Sequence, residues 1–203
     1  MKIHVAALML AATVTLPQAV RAEPETRLRA PQVPAAIQVP SGYKPFLVAH
    51  AVGTQGYVCV ANGSAFRWAT FGPQATLFNA DGEQILTHFL SSTPYSLLPN
   101  PAWQHSRDSS IVWGQVVNSS SDPVFVAPGA IPWVLLEAAV VGEGPTGGDK
   151  LLATRYIQRV NTREGKAPSI GCATAQDIAK RALVPYEADY YFFKARPSND
   201  RRD

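Results

Sequence analysis

The sequence predicts an all-β protein, namely a single antiparallel β-sandwich or barrel-like domain with long loops and at most one short helix. Two observations lead to this prediction. Short segments rich in β-branched and aromatic residues greatly outnumber the segments with helical character. Turn residues separate these segments at intervals of about ten positions, a spacing that is typical of sandwiches and barrels.

The N-terminal segment predicts export. Residues 1–22 contain one early charge, Lys2, followed by an apolar run and the sequence Val20-Arg21-Ala22, which is typical of a signal peptide and its cleavage site. The apolar run is too short to span a bilayer, and no later segment qualifies as a transmembrane helix. We therefore expect a protein of the periplasm or the extracellular space that keeps no integral membrane segment after cleavage.

Three segments are predicted to follow the signal peptide. Residues 23–40 are rich in proline and should form an extended lead-in, residues 41–195 the β-rich domain, and residues 196–203 a flexible tail. The formal net charge of +3 falls to +1 when Lys2 and Arg21 leave with the signal peptide. So small a charge does not indicate a nucleic-acid partner.

The first half of the domain is predicted to contain several strands and one long loop. PFLVAHAV and QGYVCVA are predicted as strands separated by Gly53 and Gly56, and AFRWATF follows as another. ATLFNADGEQILTHFL predicts a hairpin, because Asp81-Gly82 is a preferred turn pair. Residues 91–110 contain three prolines and are predicted to form a loop. Loops of that length usually have a functional or packing role.

The second half is also predicted to consist mainly of strands. IVWGQVV should end at the turn residues 118–123, and IPWVLLEAAVV is predicted as a strand covered on both faces. LLATRYIQRV is predicted as a strand from its residue types, and Arg155 and Arg159 alternate with Ile157 on one face that is predicted to be solvated or ion-paired. TAQDIAKRALV is predicted to form one or two helical turns before Pro185. YEADYYFFKA should close the domain as a central strand with aromatic side chains on both faces.

The segment VVGEGPTGGDK carries a glycine pattern found in dinucleotide-binding enzymes. Gly142, Gly144 and Gly147 spell G-x-G-x-x-G, but that motif requires a strand, a tight turn and a helix within a βαβ unit. Here the following segment is β-prone and the preceding chain lacks alternating strands and helices. We therefore reject a dehydrogenase function and expect no cofactor. The glycines are predicted to form the hairpin loop that joins WVLLEAAVV to LLATRYIQRV.

Cys59 and Cys172 are the only cysteines in the sequence. In an exported protein a lone pair of cysteines is most often a disulfide. A redox or metal role is less supported, because the sequence has no C-x-x-C and no histidine at ligand spacing from either cysteine. We predict a structural disulfide and no metal site.

Four residues are candidates for ligand binding, namely His88, Trp103, His105 and Asp108. His88 lies in the second arm of the predicted hairpin, and the other three lie in the predicted loop. Folded together, His88, His105, Asp108 and Ser109 could form a nucleophilic or metal-binding constellation, although such loop residues are more often solvated or capping groups. Trp103 could stack on a flat ligand, although packing of the loop onto the sheet is the more common role.

Six segments resemble, in order, the pattern of the exported bacterial and fungal proteins known as domain of unknown function 3455. They are IQVPSGYKP, YVCV, ATLFNADGEQILTHF, IPWVLLEA, RYIQRVNTREGKAPSIGC and VPYEADYYFFKA. The resemblance runs from about Ile37 to Lys194. It implies a single β-rich secreted domain in which Cys59 and Cys172 are paired, and it implies no established activity, cofactor or catalytic residues.

Three functions compete at this stage. The first is a non-catalytic exported module that binds a small ligand, a glycan or another envelope protein, and the absence of any catalytic motif favours it. The second is an envelope enzyme, hydrolase-like, that uses His88, His105 and Asp108. The third is an oxidoreductase, which would need a nucleotide crevice that the predicted arrangement of strands does not supply.

Overall fold

The structure, a computed structural model, describes residues 28–197. The predicted signal peptide, residues 23–27 of the lead-in and residues 198–203 of the predicted tail lie outside the described residues. The described chain has two 3-10 turns, Ala35–Ile37 and Ala175–Asp177, and eight strands. The strands are β1 Tyr43–Asn62, β2 Ala65–Phe78, β3 Gln84–Thr93, β4 Ser96–His105, β5 Ile111–Ser120, β6 Trp133–Gly142, β7 Tyr156–Glu164 and β8 Arg181–Ala195. No helical segment in this range has the length and apolar character needed to cross a membrane.

The eight strands form a closed antiparallel barrel in the order of the sequence. The predicted all-β class is confirmed, and of the two architectures left open the structure is a barrel and not a sandwich. Closure depends on the length of β1, whose 20 residues pair with β8 over residues 43–58 and with β2 over residues 50–62. Closure of the barrel gives every strand a neighbour on both sides over at least part of its length, which limits the edges left with unpaired backbone groups.

Two predicted strand boundaries in the first half are wrong. PFLVAHAV and QGYVCVA belong to the single strand β1, and AFRWATF continues through Phe78 as β2. The glycines between these segments do not form a turn; next to Gly56 the register shifts, because Phe71 on β2 is an extra residue opposite Gly56 and Tyr57. Within this bulge, Gly72 has φ +117, a conformation that favours glycine. The predicted hairpin at Asp81-Gly82 is confirmed as the β2–β3 connection.

The prediction of a loop over residues 91–110 is wrong as well. This segment contains the end of β3, a turn at 94–95 and all of β4. Because β3 pairs with β2 only through residues 84–88, and β4 pairs with β5 only through residues 102–104, residues 89–101 form ladder pairs only within the β3–β4 hairpin. We call residues 89–101 the finger. Its prolines are tolerated because proline fits a strand that has no partner on one side.

The second half follows the predictions more closely. IVWGQVV is part of β5, and YEADYYFFKA is part of β8, with Tyr190 and Phe192 buried in the barrel interior. The hairpin between β6 and β7 is confirmed, although β7 begins only at Tyr156 and the preceding residues form a turn. TAQDIAKRALV contains one 3-10 turn, Ala175–Asp177, before β8 begins at Arg181.

The two ends of the barrel differ in their packing. Because neighbouring strands run in opposite directions, the β2–β3, β4–β5 and β6–β7 loops lie at one end, which we call the closed end. The other connections lie at what we call the open end. Side chains with no solvent exposure fill the interior towards the closed end: Leu77, Leu86, Val112, Leu151, Ile157 and Phe192. Burial of each such side chain stabilises the fold by roughly 1.5–3 kcal/mol.

A second apolar cluster covers the outer face of β6 and β7. It contains Ile37 from the lead-in, Val126 from the β5–β6 loop, and Trp133, Leu135 and Val160 from the strands. The side-chain amide of Gln158 also donates a hydrogen bond of 2.7 Å to the carbonyl of Ile37. The described part of the lead-in is therefore packed against the barrel and contains a 3-10 turn, and is not merely an extended segment.

Candidate functional site

A cavity of about 470 Å³ lies inside the barrel towards the open end. All eight strands contribute residues to its wall. This volume falls within the range of about 300–1,000 Å³ that is typical of small-molecule sites. The interior of an eight-stranded barrel is either filled by side chains or holds one small ligand, and in this protein the closed end is filled whereas the open end is not.

The finger shapes the mouth of the cavity. Because its residues pair with neither β2 nor β5, the barrel wall is interrupted on both sides of it at the open end. Leu90 and Pro101, at the base of the finger, line the cavity. Tyr95, Leu97 and Leu98, at its tip, have exposed fractions of 85%, 93% and 75%. The finger therefore joins an apolar cavity wall to an exposed apolar tip.

Two of the candidate residues, His88 and Trp103, meet inside the barrel and line the cavity. They are direct partners in the β3–β4 ladder, and their rings stack with centroids 4.1 Å apart and an angle of 5° between planes. Tyr190 packs edge-on against both rings, with centroids 5.1 Å and 5.4 Å away. Trp103 thus lies on a strand rather than on the predicted loop, and only 1% of it is exposed.

His88 is a neutral hydrogen-bonding group at physiological pH. Burial lowers the pKa of His88 to about 3, and the positive charge of Arg159 lowers it further against the opposing effect of the Ala102 carbonyl. Nδ1 lies 2.8 Å from that carbonyl oxygen and donates to it, so Nε2 is the acceptor of the ring. An imidazole with so low a pKa is a weak general base at neutral pH.

Arg159 lies half-buried in the barrel and lines the cavity. The prediction of a solvated or ion-paired face for this residue is wrong, because Ile157 and Arg159 share the inward face of β7. Its Nε and Nη2 donate to the Pro132 carbonyl at 3.3 Å and 2.9 Å. Within residues 28–197 no carboxylate forms an ion pair with it. The alternation with Ile157 was the relevant sequence signal, because the apolar residue marks this face as the inward one.

Two buried tyrosines lie beside this positive charge. The hydroxyls of Tyr186 and Tyr190 are 3.3 Å apart. Burial raises the pKa of both tyrosines, and the charge of Arg159 opposes part of that rise. Both hydroxyls therefore stay protonated and serve as neutral hydrogen-bonding groups in the interior.

His105, the last residue of β4, lies beside Asp108 of the β4–β5 turn at the closed end, and neither is among the residues that line the cavity. Their Nδ1 and Oδ1 atoms are 3.0 Å apart. Asp108 also accepts hydrogen bonds from the Ser110 hydroxyl at 2.7 Å and the Lys150 backbone N–H at 2.9 Å. Burial would raise the pKa of Asp108, but these hydrogen bonds and His105 hold it well below its ordinary value. Asp108 thereby joins the β4–β5 turn to the β6–β7 loop.

The glycine pattern belongs to the same loop contact. A Cβ atom on Gly144 or Gly148 would collide with the backbone carbonyl of Asp108, and Gly147 has φ +81. Glycine is therefore needed where the β6–β7 loop approaches the backbone of the β4–β5 turn. The loop joins two antiparallel strands, so the G-x-G-x-x-G spelling reflects packing and not a dinucleotide site.

The disulfide links the wall of the barrel to a loop at its open end. Cys59 on β1 is bonded to Cys172 in the β7–β8 loop, with their Cα atoms 5.4 Å apart. The same loop is held by a hydrogen bond from Trp68 Nε1 to the Ile170 carbonyl at 3.2 Å, and Trp68 lines the cavity. Among the described residues, no group of three His, Cys, Asp or Glu side chains is arranged to hold a metal ion.

Comparison with known proteins identifies the family. Residues 40–194 match the family described as "Protein of unknown function (DUF3455)". This chain belongs to the DUF3455 family. No curated protein and no solved structure matches it significantly. In this DUF3455 protein, three of the segments that carry the resemblance supply polar groups to the interior: His88 lies in ATLFNADGEQILTHF, Arg159 in RYIQRVNTREGKAPSIGC, and the two tyrosines in VPYEADYYFFKA.

Proposed function

We propose that this DUF3455 protein is an exported, non-catalytic binding protein that holds one small and largely apolar ligand inside its barrel. The cavity of about 470 Å³ carries the proposal. Its wall is mainly apolar or aromatic, with contributions from Trp68, Leu90 and Leu136 and a few polar groups. Sites that bury small molecules have this composition, because apolar walls supply binding free energy and a few polar groups fix the orientation.

Two features support export. The first 22 residues have the pattern of a signal peptide. The domain also contains a disulfide, and disulfides form and persist mainly in the periplasm and outside the cell. A carrier or receptor for a small molecule in that compartment is consistent with both features.

The chemistry of the interior favours binding over hydrolysis. A hydrolase would need a base and a nucleophile within hydrogen-bonding reach of one reacting atom. His88 is a weak base because its pKa is about 3. His105 and Asp108 are engaged with each other and with the loops of the closed end. For these reasons we assign His88 and Trp103 to the ligand site and give His105 and Asp108 a structural role.

The proposal is tested with N-phenyl-1-naphthylamine, a neutral apolar fluorophore whose emission rises when it leaves water. We expect saturable binding at one site per chain, measured by fluorescence titration of the folded protein. Val134, which is 8% exposed and lines the cavity, is replaced by phenylalanine to fill part of it. This Val134→Phe variant should bind the fluorophore at least about tenfold more weakly, because the added ring occupies the volume of the ligand.

Val117→Phe is the matched control. Val117 lies on β5 with an exposed fraction of 55% and is not among the cavity residues, so the same substitution should leave the affinity unchanged. Circular dichroism establishes that both variants are folded. The absence of saturable binding by the unmodified protein, or equal weakening by both variants, would show that the cavity is not a ligand site.

A further inference from the structure

The charged side chains that line the cavity are all positive. Arg159 in the interior and Arg67 on β2 line the cavity, whereas no aspartate or glutamate of the described residues does. His88 adds no charge because it is neutral at physiological pH. The electrostatic potential inside the barrel is therefore positive and favours a ligand that carries a negative charge.

Arg159 has unused capacity for such a ligand. Its Nε and Nη2 groups both donate to the Pro132 carbonyl, and the guanidinium also interacts with the Tyr190 hydroxyl. A guanidinium has five N–H donors in a planar fork, so donors remain for a ligand. A half-buried cation without an anionic partner is less stable than one that is paired, because removal of water around it weakens its solvation. Pairing with an anion in the cavity would offset that loss.

The remaining lining restricts the kind of anion. Trp68, Leu90 and Val116 present apolar surface to the same cavity, so most of the ligand must be apolar. A planar carboxylate matches the guanidinium fork with two parallel hydrogen bonds and brings one negative charge for the one interior arginine.

We propose that the ligand is an organic acid whose carboxylate pairs with Arg159 and whose apolar body lies against Trp68, Leu90 and Val116. This inference rests on the proposed function, since it names the chemical class that the cavity binds. It assigns Arg159 as the residue that determines specificity for the charged group of the ligand.

The test compares acids with their uncharged amides. Two pairs are used, 2-naphthoate with 2-naphthamide and decanoate with decanamide, so that the apolar body stays constant while the charge changes. Affinities are measured by displacement of N-phenyl-1-naphthylamine. For the unmodified protein we expect at least one acid to bind roughly tenfold to hundredfold more tightly than its amide, the range typical of a hydrogen bond to a charged group.

Variants then identify the group responsible. Arg159→Met should abolish the preference for the acid while still binding the amide, which also shows that the variant is folded. Arg159→Lys should retain part of the preference, because it keeps the charge but loses the planar fork. Arg163→Met is the matched control. Arg163 lies on the same strand, pairs with Glu187 on the surface at 3.4 Å, and should leave the preference unchanged.

The outcomes separate the two proposals. If the fluorophore binds but acids and amides compete equally, or if Arg159→Met keeps the preference for the acid, the organic-acid inference is wrong and the apolar binding site stands. If the fluorophore, the acids and the amides all fail to bind, both proposals are wrong.

Discussion

At the scale of single residues, the face of a strand decides what a polar side chain can do. His88 and His105 both lie on the β3–β4 hairpin, yet His88 is inside the barrel against Trp103 and His105, at the end of β4, lies beside Asp108. From the sequence, both were grouped with Asp108 as possible groups of one catalytic site. The sequence could not show that the two histidines lie in different places, because that depends on where β4 begins and ends. Arg159 was missed for the related reason that an arginine in a strand usually faces solvent.

The low pKa of His88 predicts a specific acid sensitivity. The pKa of His88 falls from its ordinary value of 6.5 to about 3 on folding. Between these pH values the unfolded chain binds the proton and the native protein does not, so stability declines as the pH falls through this window. The decline approaches about 1.4 kcal/mol per pH unit at its steepest.

His88→Phe removes this titration and keeps a flat ring against Trp103. Urea unfolding at pH 7.5 and pH 5 should show that the unmodified protein loses roughly 2 kcal/mol more stability on acidification than His88→Phe does. The comparison cancels the other titrating groups, which both proteins share. An equal loss in the two proteins would mean that His88 already carries its proton in the native state.

At the scale of elements, local patterns predicted most strands but not their lengths. Hairpins with a clear turn pair, such as Asp81-Gly82, were predicted, because the turn and the flanking strands are close in sequence. Gly53, Gly56 and the prolines of residues 91–110 were interpreted as breaks. They are accommodated by a bulge and by a hairpin that pairs with neither neighbour, and both arrangements depend on strands that are distant in the sequence.

The contact between the β6–β7 loop and the β4–β5 turn predicts which glycine is essential. Gly144→Ala should destabilise the protein by about 1–3 kcal/mol, because the new Cβ atom would overlap the Asp108 carbonyl and force the two loops apart. The measurement is urea unfolding at neutral pH.

Gly147→Asn is the matched control within the same motif. Gly147 has φ +81 and no atom within 4 Å of an added Cβ, and asparagine tolerates this left-handed conformation. We expect a loss below about 1 kcal/mol. If the two substitutions had equal effects, the close approach to Asp108 would not be the reason for glycine at residue 144.

At the scale of the whole molecule, the sequence predicted the all-β class and left the choice between sandwich and barrel open. That choice depends on the pairing of β1 with β8, whose partner residues, such as His50 and Asp189, lie at opposite ends of the domain. Nothing local specifies such a pairing. The cavity follows from the same closure, because it is the part of the enclosed interior that the side chains of the closed end do not fill. Sequence patterns therefore could not predict a binding site inside the barrel, although two residues of that site, His88 and Trp103, were among the candidates.

The disulfide is the one covalent link between distant parts of this closed sheet, and its removal tests how far the barrel depends on it. Cys59 and Cys172 are 113 residues apart, and a crosslink that closes so long a loop stabilises the native state by about 4–5 kcal/mol in the chain-entropy account.

The double variant Cys59→Ser, Cys172→Ser should lose roughly that much free energy of unfolding, measured by urea unfolding. It should also bind N-phenyl-1-naphthylamine more weakly, because the β7–β8 loop beside Trp68 would be held only by hydrogen bonds. A thiol assay on the native protein should find no reactive sulfhydryl. Two free thiols in that assay, or an unchanged free energy of unfolding in the variant, would show that the loop is not fixed to β1 by this bond.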